Sequence, residues 1–188
     1  LINAAVLIKN GDILSEHAKT NLPNYDIFDE KRFFNSSHTQ NIINYNGKKI
    51  GITICEDAWS QQAGRLKTRV TYKTNPIKEL ATLKPDIIIN ISASPFEAGK
   101  DQVRQVLFSG HAKTSQCPIL FVNQVGGNDQ LIFDGASMLF NSKGDLLKQL
   151  DSFKEDTYCV DLNELSKKVS FKKKDTIASI HDALCLGI

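Results

Sequence analysis

The chain has 188 residues, 41% of them hydrophobic, with 23 basic side chains against 21 acidic and a formal net charge of +2. That is about one domain with enough apolar material for a core. A balance this even gives no reason to expect nucleic acid or an anionic membrane as a partner. No stretch approaches the roughly 20 apolar residues of a membrane-spanning helix. The first eight residues lack the charged start and cleavage site of a signal peptide, and the first residue is not Met, so upstream residues are expected. Cys55, Cys117, Cys159 and Cys185 form no CxxC pair. Zinc ligands come in close pairs and disulfide scaffolds are denser in cysteine, so neither is expected. A reducing, cytoplasmic compartment is the simplest reading.

In chain order, residues 3–9 form a β-rich apolar run, Asn10-Gly11 is a turn dipeptide, and residues 12–19 return as the second arm of a hairpin. Residues 20–41 are polar and read as a long loop. A second hairpin follows, residues 42–45 and 48–54 around Asn46-Gly47, and its second strand ends at Cys55. Pro76 suits the first turn of a helix reaching about Leu83, capped by Thr74 or Asn75. Residues 86–91 read as a strand buried on both faces. A helix is expected over residues 101–114 with Val103, Val106, Leu107 and His111 on one face. Another buried strand spans residues 118–123, and Gly126-Gly127 is expected to break the chain. Strands follow over 131–133, 136–140 and 146–150, the last two joined by a turn at 142–145, with a final strand over 158–162. Alternating strands and helices give an α/β fold, and the hairpins make its sheet mixed. Past Leu162 a lysine-rich stretch precedes a helical period through Ile177, Ile180, His181 and Leu184. No internal repeat is visible.

Cys55 is the most informative residue. It ends an apolar strand and precedes Glu56-Asp57, an acidic helix start. A strand-to-helix turn presents a side chain at the sheet end where α/β folds bind ligands, and N–H groups of a helix start favour thiolate. Position alone leaves a buried structural cysteine as the alternative. The carboxylates beside it oppose a low thiol pKa, so a cation is needed, and Lys19 at the end of the first hairpin is the candidate. By itself a strand-end lysine reads as a solvated charge. His17, His38, His111 and His181 share no local spacing and read as loop or helix-face residues. Cys117, Cys159 and Cys185 read as small core residues.

The stretch KTNLPNYDIFDEKRFF (residues 19–34) resembles the lysine segment of the nitrilase superfamily, and more narrowly the amidase domain of glutamine-dependent NAD+ synthetases. GITICEDAW (51–59) is similar to that group's nucleophile segment, NISASPF (90–96) to its substrate-side loop, and VNQVGGNDQLIFDG (122–135) to its most distinctive run. Residues 180–188 look like the start of the synthetase domain. The resemblance implies a nitrilase-type αββα sandwich without its N-terminal part. Residues 1–162 would be amidase, and 163–188 a linker and the start of a synthetase domain.

The family's triad is Glu–Lys–Cys. Cys55 and Lys19 match by motif; the triad glutamate is expected upstream of the first hairpin. Glu30 matches a later family glutamate and is expected to orient Lys19 rather than act as general base. Tyr25, Glu56, Trp59 and Ser94 match positions that contact glutamine. Glu56 would meet the α-ammonium, Ser94 and Tyr25 the α-carboxylate, and Trp59 would form a wall. Asn123, Asp129 and Asp134 would shape the loop or a subunit contact. The implied reaction is glutamine hydrolysis that supplies ammonia for NAD+ synthesis. No cofactor or metal is expected in the chain, which lacks a glycine-rich phosphate loop. ATP and Mg2+ would belong to the synthetase domain. The expected partners are glutamine, that domain and a second copy of the chain. A free-standing carbon–nitrogen hydrolase (an ω-amidase or carbamoylase) is the alternative, and a non-catalytic scaffold a third.

Overall fold

Two Asn-Gly pairs set the first strands. Asn10 and Gly11 (φ 54° and 91°), like Asn46 and Gly47 (φ 47° and 73°), adopt the positive φ that two-residue hairpin turns demand. The first pair joins β1 (Ala4–Lys9) to β2 (Asp12–Ala18); the second joins β3 (Ile42–Tyr45) to β4 (Lys48–Ile54), both antiparallel. A computed structural model describes residues 1–60 and 72–188. The chain divides into two compact units, Leu1–Ile91 and Ser92–Ile188.

In the first unit β4 runs parallel to β5 (Ile87–Ser92), pairing Ile50 with Ile87 through Ile54 with Ile91. With β3 this makes the sheet mixed, as expected. Helix α1 (Glu30–Phe33) interrupts the loop expected over 20–41. Helix α2 (Pro76–Thr82) carries Pro at its start, and the Asn75 side chain caps it by accepting the Lys78 N–H at 3.0 Å. Its Leu80 lies against β4 where Gly51 has no side chain. A Cβ there would sit 3.2 Å from Leu80 Cδ1 and 3.4 Å from Ile88 Cγ1, so any larger residue would push these side chains back by a few tenths of an ångström. Leu80, Ile77 and Ile88 are fully buried around it.

In the second unit β6 (Ile119–Asn123) pairs antiparallel with β9 (Met138–Phe140), and β9 with β10 (Leu146–Gln149). Helix α3 (Lys100–Ser115) packs on β6 and β9, its Phe108 ring stacked on Phe121 at 4.5 Å between centroids. Its buried stripe is Arg104, Leu107, Phe108, His111 and Ala112. Val106, expected inside, is half exposed; a buried arginine hides the phase of the stripe from hydropathy.

Two further expectations fail. Gly126-Gly127 does not break the chain but lies in β7 (Val125–Asn128), which pairs with β8 (Leu131–Asp134). The ladder to Ile132 and Phe133 overrides glycine's poor strand propensity. Residues 158–162 form no strand, and Tyr158 is 50% exposed; alternation without a partner strand gives no ladder. Helix α4 (Thr176–Leu186) does form, capped by the Asp175 side chain, which accepts the Ala178 N–H at 3.0 Å. Only Ala183 on it is buried, while Ile177, Ile180 and Leu184 face solvent.

Candidate active site

Cys55 is the hinge between β4 and a single 3-10 stretch, Cys55–Ser60. The expected helix start is therefore a tight 3-10 turn rather than an α-helix. Cys55 has φ 43°, a left-handed conformation that costs a non-glycine residue roughly 1–2 kcal/mol. Such a sharp strand-to-helix elbow holds a side chain out at the strand end, and Cys55 is partly exposed between the buried Thr53 and Glu56. Asn90, at the same end of β5, is fully buried. It donates to Thr53 Oγ1 (3.0 Å) and to the Cys55 carbonyl (3.4 Å), bracing the elbow from the neighbouring strand.

Lys19 is 1% exposed. Its Nζ meets Glu30 Oε1 at 2.7 Å, and Asn3 Nδ2 donates to the other Glu30 oxygen at 3.4 Å. The Lys19 backbone is fixed on both sides, its N–H donating to the Asn3 carbonyl and its carbonyl accepting the Ser37 N–H. Glu30 stands at the start of α1, where the Pro23 carbonyl accepts its N–H. A strand-end lysine that would ordinarily be solvated is thus buried against one carboxylate.

Asp57 ties these segments together. It is fully buried and accepts the N–H groups of Thr20 (3.1 Å) and Asn21 (2.7 Å) on Oδ1, and of Ile54 (2.9 Å) on Oδ2. The residues bonded are those just after Lys19 and just before Cys55, so one carboxylate sets the backbone on which both are carried. Burial pushes its carboxyl up to about 6, against the pull of those N–H groups and of the Lys19 charge. The sequence shows Asp57 only as an unwelcome charge beside the thiol; its clamping role needs contacts 36 and 37 residues apart.

Glu56 is 6% exposed and accepts the Tyr25 hydroxyl on both oxygens, at 3.1 and 3.0 Å. Tyr72 adds a third bond to Oε1 at 2.9 Å. Tyr25 also packs edge-on against Phe28, centroids 5.7 Å apart. Trp59 lies partly buried in the 3-10 stretch. Cys55, Lys19, Glu30, Tyr25, Glu56 and Trp59 therefore all belong to the first unit. Tyr72 had no local signal in the sequence.

Ser94 belongs to the second unit and is 3% exposed. Its hydroxyl oxygen accepts from Arg104 Nε (3.3 Å) and Nη2 (3.1 Å), and its carbonyl from Nη2 at 2.8 Å. Asn123 Oδ1 accepts the Ser94 N–H at 2.9 Å, and Arg104 Nη1 grips both oxygens of Asp134 at 2.8 Å. Asn123 and Asp134 thus shape the loop around Ser94, as expected of them. Among the described residues no group of three or more His, Cys, Asp or Glu side chains could hold a metal ion, and no helix is long and apolar enough to cross a membrane.

Residues 1–169 match the carbon–nitrogen hydrolase family. The chain belongs to that family. It is similar to a glutamine-dependent NAD+ synthetase of a Synechocystis strain, 40% identical across all of this chain and 34% of that protein. It also matches the solved structure of a glutamine-dependent NAD+ synthetase from Acinetobacter baumannii with ADP. That structure is 39% identical with a TM-score of 0.84, over 98% of this chain and 34% of the other. An amidase of the nitrilase superfamily from Nesterenkonia shares the fold, with a TM-score of 0.60 at 17% identity over 75% of this chain and 47% of that one. The chain spans about a third of the length of the synthetases it matches. Nitrilase-type neighbours and a mixed sheet with helices agree with the α/β class expected from the sequence.

Proposed function

We propose that this carbon–nitrogen hydrolase chain is the glutamine amidase part of a glutamine-dependent NAD+ synthetase. The observation that carries the reading is similarity at 40% identity along the whole chain to such a synthetase. The Cys55 thiolate attacks the side-chain amide carbon of glutamine and forms a C–S bond. Lys19, held by Glu30, and a backbone N–H beside Glu56 stabilise the oxyanion. The family's triad glutamate, upstream of the first hairpin by resemblance, takes the thiol proton and returns it to the leaving nitrogen as the C–N bond breaks. Water then cleaves the thioester, giving glutamate and the free thiol.

Glu56 receives the substrate ammonium. The single proton of Tyr25 is engaged with Glu56, so Tyr25 acts by holding that carboxylate rather than by donating to the substrate's own carboxylate. Ser94 takes the latter role on the strength of its motif alone, and Trp59 walls the pocket on the same basis. Residues 1–162 are assigned to the amidase and 163–188 to a linker and the beginning of the synthetase domain. That domain receives the ammonia and uses ATP and Mg2+; no cofactor is assigned to this chain. A cytoplasmic location rests on the sparse, unbridged cysteines, and assembly as a homo-oligomer on the family resemblance.

The test is Cys55→Ala in the full-length protein. Glutamine-dependent NAD+ synthesis should be lost and ammonia-dependent synthesis retained. Failure of ammonia to rescue the variant would place Cys55 outside a separate amidase step. A wild-type protein that hydrolyses amides but makes no NAD+ from either nitrogen source would favour a free-standing hydrolase.

A further inference from the structure

The carboxylate next to the nucleophile is held more firmly than a surface glutamate, and one of its holders lies far from every motif described above. Tyr72 reaches Glu56 Oε1 at 2.9 Å from 16 residues along the chain. Its backbone is anchored just downstream. Thr74 Oγ1 donates to Asn21 Oδ1 at 2.9 Å, and Asn75 caps α2. Asn21 is in turn bonded to Asp57. The Tyr72 hydroxyl is thus delivered from a segment tied to the same clamp that carries Lys19 and Cys55.

Two phenols on one carboxylate have a defined chemical effect. Each is a neutral donor, so each fixes the orientation of Glu56 without cancelling its charge. A phenol is protonated at neutral pH, and burial, then the Glu56 charge, push that of Tyr72 further up, so it serves as a donor. Such an arrangement presets an anion rather than a proton donor, and a preset anion beside a nucleophile suits a substrate with a cationic group.

We infer that Tyr72 is a positioning residue for substrate selection: its hydroxyl fixes Glu56 as the receptor for a primary ammonium group, so that the site favours ω-amides bearing an α-ammonium. This rests on the amidase reading above. The role is one step removed from the chemistry, because Tyr72 acts through Glu56 and not on the reacting amide.

The test compares glutamine with glutaric acid monoamide, which is glutamine without its ammonium, by ammonia release from the full-length protein. Tyr72→Phe keeps the ring and removes only the hydroxyl. The KM for glutamine should rise about tenfold, the scale of one hydrogen bond to a charged group. Its kcat, and KM for the monoamide, should stay within about twofold of wild type. In a Glu56→Gln background the same substitution should add nothing, since the two residues act as a unit. Equal losses on both amides, a loss confined to kcat, or additive losses in the double variant would overturn the inference. A wild type that hydrolyses neither amide would sink the amidase reading itself, and the inference with it.

Discussion

Arg104 and Lys19 are both buried cations, and their surroundings differ in kind. Arg104 is fully buried with all three guanidinium nitrogens bonded: Nη1 to Asp134, Nε to Ser94, and Nη2 to Ser94 and the Pro95 carbonyl. Its charge is matched by Asp134, and its plane lies 5.8 Å from the Phe121 ring. Lys19 instead meets one oxygen of Glu30, while Asp57 and Glu56, both buried, occupy the adjoining 3-10 stretch. There a carboxyl is pushed up to about 6, and a cysteine sits at φ 43°. The closed network is what a fold needs to place a loop. The other cluster tolerates strain and excess negative charge, a combination that folding alone does not favour and that recurs at reactive sites.

The contrast breaks most visibly at Arg104. Arg104→Met strands Asp134 in the core and should cost about 3–5 kcal/mol in denaturant unfolding. A loss under about 1 kcal/mol would mean the network is not the closed unit it looks to be.

Asp57→Asn probes the other region, with a smaller cost of about 1–3 kcal/mol, because one of three N–H groups then faces an amide donor. Its pH dependence separates it from a simple lost bond. The Asp57 carboxyl titrates at about 6 folded, against an ordinary value of 3.8. The folded chain therefore holds the extra proton between those values, and the Asp57 contribution to stability falls as pH rises through them. Asparagine removes that fall, so the deficit of the variant should be largest near pH 4 and shrink toward pH 7. Thermal melts at both pH values read this directly, and a deficit that grows with pH would refute the raised carboxyl.

The smallest effect concerns backbone strain. Cys55→Gly should be at least as stable as Cys55→Ala, by up to about 1 kcal/mol, because glycine adopts positive φ without a Cβ clash while its freer unfolded chain offsets part of the gain. A glycine variant clearly less stable than alanine would show that the elbow is not strained.

Sequence by itself determined the hairpins, the parallel strands and the position of Cys55, because those depend on local chemistry: Asn-Gly turns, runs of isoleucine, and Pro after a capping Asn. It also carried the motifs around Lys19 and Cys55, since each motif is contiguous. Only the tertiary structure decided what depends on distant partners. Gly126-Gly127 became a strand because β8 supplies a ladder, and residues 158–162 did not because no strand among the described residues pairs with them. Arg104 turned inward because Asp134 and the Ser94 loop satisfy its donors, which no helical period reports. The Asp57 bonds to Thr20 and Asn21, and the Tyr72 bond to Glu56, join residues 16 to 37 positions apart. A hydrogen bond across that separation leaves no trace in either segment, so the chemistry of the nucleophile was readable while the apparatus that holds its surroundings was not.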